Sequence, residues 1–231
     1  MIIAKNLVKT FKNGDRETKV LRGIDFEARA GEFIAIMGRS GAGKSTFLYQ
    51  LSLLDEPTSG DVLIDGHSTR EMTETQEATF RLISFGYVFQ DYALLPELTA
   101  IENVALPLLM QNFERRHAYR QATDALERVG LENRLKNLPG QLSGGEQQRV
   151  SIARAIAHNP KVLFADEPTA NLDNESSDTI MEIFTELHSL GQTTIMVTHE
   201  EKFARLADRI VTLDDGVIVS TTPNIKQYAD A

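Results

Sequence analysis

The stretch Gly38-Arg39-Ser40-Gly41-Ala42-Gly43-Lys44-Ser45-Thr46 constrains this chain more than any other. It has the form G-x-x-x-x-G-K-[ST], the phosphate-binding loop pattern. The apolar run Phe33 to Met37 precedes it and reads as a buried strand, and Ser45 to Leu54 follows with no Pro or Gly and reads as a helix. Strand, glycine loop and helix form the context this pattern needs. Three glycines let backbone N–H groups close around phosphate oxygens. A helix N-terminus adds unpaired N–H groups and a dipole that favours an anion. In such a loop Lys44 reaches the β- and γ-phosphates and Ser45 offers its hydroxyl to Mg²⁺.

At 231 residues the chain is long enough for a substantial core in one domain or a domain with a subdomain. Its 24 basic and 33 acidic residues give a formal charge of −9, which argues against a general nucleic-acid binder. It has no cysteine, so disulfides and thiolate-bound zinc are excluded. No signal peptide is expected at the N-terminus, and no apolar run approaches the roughly twenty residues of a membrane span. Any membrane role therefore calls for another chain.

Before the loop, Ile2-Ile3, Val20-Leu21 and Ile24-Asp25-Phe26 read as short strands, with a turn at Lys12-Asn13-Gly14-Asp15. Phe11 precedes that turn; its ring either stacks on a purine or packs locally. Asp55-Glu56-Pro57-Thr58 recurs at Asp166-Glu167-Pro168-Thr169. The first copy follows a helix and reads as a turn without chemistry. The second follows the apolar strand Val162 to Ala165. An Asp at the end of a strand beside a phosphate loop is the usual Mg²⁺ partner, and Glu167 is placed to polarise an attacking water.

Residues 67–81 read as polar and helical near their end, and Ile83 to Phe89 as a strand ending at Gln90. From 91 to about 157 the pattern turns helical, with breaks expected at Pro96 and Pro107. Ser143, followed three residues later by Glu146, is a capping box that starts a helix running to about His158. Gly144 and Gly145 are poor helix formers there, and their bare N–H groups make a second anion site at a helix N-terminus. Two phosphate-binding helix ends with one lysine-bearing loop are reconciled if the second binds a nucleotide held by another chain. His199 ends the β-branched strand 193–198, where ligands bind in such sheets. The segments 210–213 and 217–219, joined by Asp214-Asp215-Gly216, read as a hairpin. The tail from Thr221 reads as short and polar.

In this order the motifs resemble the ATP-binding-cassette ATPases over nearly the whole chain. Phe11 matches the aromatic loop position where Tyr is commoner. Gly38, Arg39, Ser40, Gly41, Ala42, Gly43, Lys44, Ser45 and Thr46 match Walker A, with Arg39 where Pro is common. Gln90 matches the Q-loop, Leu142 to Gln148 the family signature, Asp166 and Glu167 the Walker B pair, Ala170 to Asp173 the D-loop, and His199 the switch histidine. The resemblance implies an α/β fold: a P-loop, RecA-like core (1–90 and 158–231) with an antiparallel β subdomain and an inserted helical subdomain (about 91–157). It implies an ATPase with ATP and Mg²⁺ as ligands. Glu167 would be the base and His199 the γ-phosphate contact. Ser45, Gln90 and Asp166 would hold Mg²⁺. Ser143, Gly144, Gly145 and Asp173 would reach ATP in trans, in a dimer of two copies.

The segment Asp91 to Val104 resembles the MacB/LolD/FtsE branch. That implies an FtsX- or MacB-like permease as partner and a position on the cytoplasmic, inner face of the cell membrane. It implies lipoprotein release or drug or peptide export, with a mechanical cell-division role as the alternative. Tyr92, Leu94 and Leu95 fall where the family docks its permease, or else belong to the subdomain core.

Overall fold

The computed structural model describes residues 2–14 and 16–224; the end of the expected turn at Asp15 and most of the expected polar tail (225–231) lie outside the described residues. Backbone contacts gather into two units, residues 1–77 with 191–231, and residues 78–190.

The first unit holds two sheets. One is antiparallel, built from β1 (Ile2–Asn13), β2 (Arg16–Ala28), β4 (Ser59–Ile64) and β5 (His67–Ser68) in the order β2-β1-β4-β5. It is the expected antiparallel β element, with longer strands than the sequence suggests. Val20-Leu21 and Ile24-Phe26 belong to one strand. The ladder steps from Leu7↔Ile24 to Val8↔Arg22, leaving Gly23 as an extra residue at φ +90°. A bulge of this kind interrupts the period-2 pattern, so one strand reads as two. Leu21, Ile24, Phe26 and Ala28 all face the core.

In the other sheet of this unit, β3 (Phe33–Met37) pairs in parallel with β8 (Thr193–Val197) and with β9 (Arg209–Asp214). β10 (Val217–Pro223) returns antiparallel to β9, and Asp215 and Gly216 both sit at positive φ in the turn. Phe33, Ile34, Ala35 and Ile36 are fully buried, as a near-continuous apolar strand flanked on both edges requires. The helix α1 (Lys44–Leu51) ends three residues before the expected Leu54, because Leu53 turns left-handed at φ +59°. Its Phe47 meets Phe26 edge to face at 5.2 Å. The short helix α7 (Glu201–Ala204) follows β8.

The boundary between units falls within α2 (Glu74–Ser84). The second unit carries a parallel pair, β6 (Phe85–Val88) and β7 (Val162–Asp166). The strand expected from Ile83 starts at Phe85, since Ile83 and Ser84 complete α2. Its helices are α3 (Ala100–Met110), α4 (Arg115–Arg128), α5 (Gly144–Ile156) and α6 (Asn174–Ser189). Pro107 lies inside α3 rather than breaking it. Near a helix end Pro forfeits one hydrogen bond, and the Pro107 carbonyl still accepts from Gln111 N–H at 3.1 Å. The buried Asn103 fixes the segment ahead of α3. It donates to the carbonyls of Leu95, Leu98 and Thr99 and accepts the Leu95 N–H. Backbone of α5 sits hard against β6: a Cβ on Gly86 would lie 2.3 Å from the Ala155 carbonyl oxygen.

Candidate functional site

The phosphate loop connects β3 to α1 in the first unit. Its glycines are needed for different reasons. A Cβ on Gly38 would lie 2.2 Å from the Leu213 carbonyl oxygen of β9, and one on Gly43 3.1 Å from the Val20 carbonyl oxygen of β2. Gly41 meets nothing within 4 Å, but its φ of +80° is left-handed. Two of the three therefore let the loop nest against strands, and the third lets the chain turn. Gly43 is the N-cap of α1 and makes no side-chain cap bond, so the positive end of the helix dipole faces the loop without a side chain in the way. Ala42 N–H donates to the Arg39 carbonyl, and Gly216 N–H donates to the Ala42 carbonyl, tying the loop to the β9–β10 turn.

Lys44 is only 8% exposed, and its ammonium donates to the carbonyls of Gly38 (3.1 Å) and Arg39 (3.2 Å). It thus spans the loop from inside, a cation held by its own backbone. Ser45 and Thr46 are half-buried, while Arg39, Ser40 and Gly41 are exposed. Phe11 is 46% exposed near the end of β1, with the Lys9 ammonium 5.0 Å from its ring centre. The same Lys9 pairs with Asp55 at 2.6 Å, and Gln50 also donates to Asp55. The first Asp-Glu-Pro-Thr is thereby a tethered turn. His199 is exposed just past β8, next to the buried Thr198, whose hydroxyl accepts the Glu200 N–H.

In the second unit Asp166 ends β7 and is 5% exposed. Glu167 follows at φ +45° and directly precedes Pro168. Left-handed backbone is costly for a residue with a Cβ, and a residue before proline prefers extended backbone. Strain of this kind, about 1–3 kcal/mol, is concentrated at functional sites. Gln90 is exposed beyond β6; its carbonyl accepts from Asn171 Nδ2 at 3.1 Å.

The capping box at α5 is formed: Ser143 Oγ accepts the Glu146 N–H at 3.2 Å, and Glu146 Oε2 accepts the Ser143 N–H at 2.8 Å. Arg134 donates to the other Glu146 oxygen at 2.8 Å. The Ser143 N–H, then Arg134, holds the Glu146 carboxyl below its ordinary value. The box satisfies the N-cap and N3 amides, leaving Gly144 and Gly145 as the first-turn donors. Gly145 has a packing reason as well, since a Cβ there would lie 2.8 Å from Ser176 Oγ of α6. Asp173 is the N-cap of α6: its carboxylate accepts the Ser176 N–H and hydroxyl, which lowers its pKa. Sequence reasoning missed this cap, although Asp173 ahead of a helical period signals it. The resemblance places Gln148 in the signature and Asn171 in the D-loop but gives no contact for either; both bind backbone carbonyls distant in sequence. Arg134, which donates to the Glu146 carboxylate, and Arg154, which donates to the Tyr92 and Ala93 carbonyls, were missed.

The ABC transporter family model matches residues 21–170. The chain belongs to the ABC transporter family. It is an ATP-binding cassette of that family, an ATPase. An uncharacterized ABC transporter ATP-binding protein of Methanocaldococcus jannaschii is 48% identical over 95% of this chain and 98% of its own length. The lipoprotein-releasing system ATP-binding protein LolD of Syntrophotalea carbinolica is 47% identical over 94% of this chain and 96% of its own length. The macrolide export ATP-binding/permease protein MacB of Chlorobium luteolum is 47% identical over 92% of this chain, which spans 32% of that relative. Among solved structures, the ATP-binding cassette MJ0796 in a dimeric post-hydrolysis state with ADP and Pi superposes with a TM-score of 0.91. It is 38% identical, over 97% of this chain and 99% of that one.

Proposed function

We propose that this cassette is the energy-coupling subunit of a transporter whose membrane part is a separate, FtsX- or MacB-like permease, and that it serves lipoprotein release or drug or peptide export. The observation that carries this reading is the 47% identity to LolD across nearly all of both chains. Among the described residues no helix is long and apolar enough to cross a membrane, so the reading places the span in a partner. The cassette would then act on the cytoplasmic face.

The residues fit ATP and Mg²⁺. The uncapped α1 N-terminus and the inward-held Lys44 suit a phosphate chain. Ser45 hydroxyl, Gln90 amide and Asp166 carboxylate are hard oxygen donors of the kind Mg²⁺ takes.

In this reading Lys44 exchanges the Gly38 and Arg39 carbonyls for the β- and γ-phosphates. Ser45, Gln90 and Asp166 would hold Mg²⁺, which would supply charge neutralisation at the phosphates. Glu167 takes the proton of the attacking water, and His199 contacts the γ-phosphate. Phe11 faces the base. Ser143, Gly144, Gly145 and Asp173 of a second copy close over the nucleotide.

The test is to purify tagged Glu167→Gln from solubilised native membranes with ATP and identify its companions by mass spectrometry. A permease with a large outer domain supports the reading. Division proteins alone would move it to the mechanical role, and no membrane partner would overturn it.

A further inference from the structure

Within the second unit, five consecutive residues from Phe89 to Ala93 are fastened to other elements through four backbone carbonyls. Gln148, wholly buried on α5, donates its Nε2 to the Phe89 carbonyl (3.3 Å) and to the Pro168 carbonyl (2.8 Å). Asn171 holds the Gln90 carbonyl. Arg154, near the C-terminal end of α5, donates to the carbonyls of Tyr92 (3.0 Å) and Ala93. Burial lowers the Arg154 pKa from its ordinary value, so its charge sits where water is scarce and the two carbonyls matter most.

Those two carbonyls belong to the residues that need holding. Tyr92 and Ala93 are both left-handed, at φ +63° and +48°, and neither is glycine. Two successive non-glycine residues in this region relax unless their surroundings fix them. The Tyr92 ring also runs back to the start of α5, where a Cβ on Gly144 would lie 2.9 Å from the Tyr92 hydroxyl.

We propose that Arg154 is a positioning residue: it latches the strained turn after Gln90 onto α5, so that Gln90 and the Ser143-Gly144-Gly145 end of the same helix are presented as one rigid piece. The consequence for turnover rests on the role given to Gln90 above; the latch itself does not. Arg154 is not among the residues read from the motifs.

The experiment uses the full chain as wild type, Arg154→Met, Arg154→Lys, and Arg154→Met with Ala93→Gly. Amide hydrogen exchange without nucleotide reads the latch directly. Arg154→Met should speed exchange across 91–96 about tenfold or more and leave the core of α5 protected. It should lower kcat for ATP about tenfold while moving KM less than about twofold, because Lys44 and its loop are untouched. Ala93→Gly relieves the left-handed strain and should restore at least about threefold of the lost kcat and slow the exchange again. Arg154→Lys, which keeps a donor cation, should lie between.

Unchanged exchange in Arg154→Met overturns the proposal. So does a loss of kcat that Ala93→Gly fails to recover. If Arg154→Met does not fold, the same comparison is made in Arg154→Lys with and without Ala93→Gly. A wild-type chain that turns over no ATP would sink the functional reading, and the exchange data would still decide the latch.

Discussion

Ser143 and Glu146 cap each other at the start of α5, with the Glu146 carboxylate on the Ser143 N–H at 2.8 Å and Arg134 on its other oxygen. The folded-state pKa of Glu146 is depressed below the ordinary 4.5, first by that N–H and then by Arg134. The stabilisation is therefore complete above the ordinary value and disappears as pH falls through the lower folded one. Thermal unfolding of the wild type should lose stability below about pH 4.5 faster than Glu146→Gln does. Equal pH slopes for the two proteins would contradict the assigned role.

The three glycines of the phosphate loop should respond unequally. Gly38→Ala drives a Cβ to 2.2 Å from the Leu213 carbonyl oxygen, and something in the backbone has to move. A cost of about 3 kcal/mol in denaturant unfolding is expected. Gly41→Ala meets open space and suffers only its left-handed φ, for about 1 kcal/mol. Equal costs would mean the loop is not seated on β9 as described.

Lys44→Met removes a buried cation but leaves an apolar stem of similar length. Denaturation should shift little, whereas ATP affinity should fall about 10- to 100-fold, the loss of charge-assisted contacts. Titration with a fluorescent ATP analogue measures it. Retained affinity would remove Lys44 from the phosphate site.

Glu167→Gln keeps shape and hydrogen-bonding capacity and loses the base. Hydrolysis should slow about 10²- to 10⁴-fold with ATP binding intact, read by single-turnover kinetics beside equilibrium binding. Near-normal turnover would exclude Glu167 as the base.

Much of this was legible in the sequence because the signals are local. The apolar run 33–37 and the glycine loop after it, the strand into Asp166, and the Ser143–Glu146 spacing each depend on neighbours a few residues away. What escaped depends on distant backbone. Gly23 hides the continuity of β2 by inserting one residue into the ladder. Ile83 belongs to α2, where a β-branched residue at a helix end looks like the start of a strand. Arg134, Gln148, Asn171 and Arg154 act on partners between 12 and 81 positions away, and the last three bind carbonyls, which every residue has. No residue pattern marks such a contact.

In the proposed reading, one copy's signature helix completes another copy's ATP site. Size-exclusion chromatography with light scattering, on Glu167→Gln with and without ATP and Mg²⁺, tests it most directly. A dimer is expected only with nucleotide, and a monomer under the same conditions when Ser143→Arg is added. A dimer that persists with Ser143→Arg, or no dimer in Glu167→Gln with bound ATP, would contradict it.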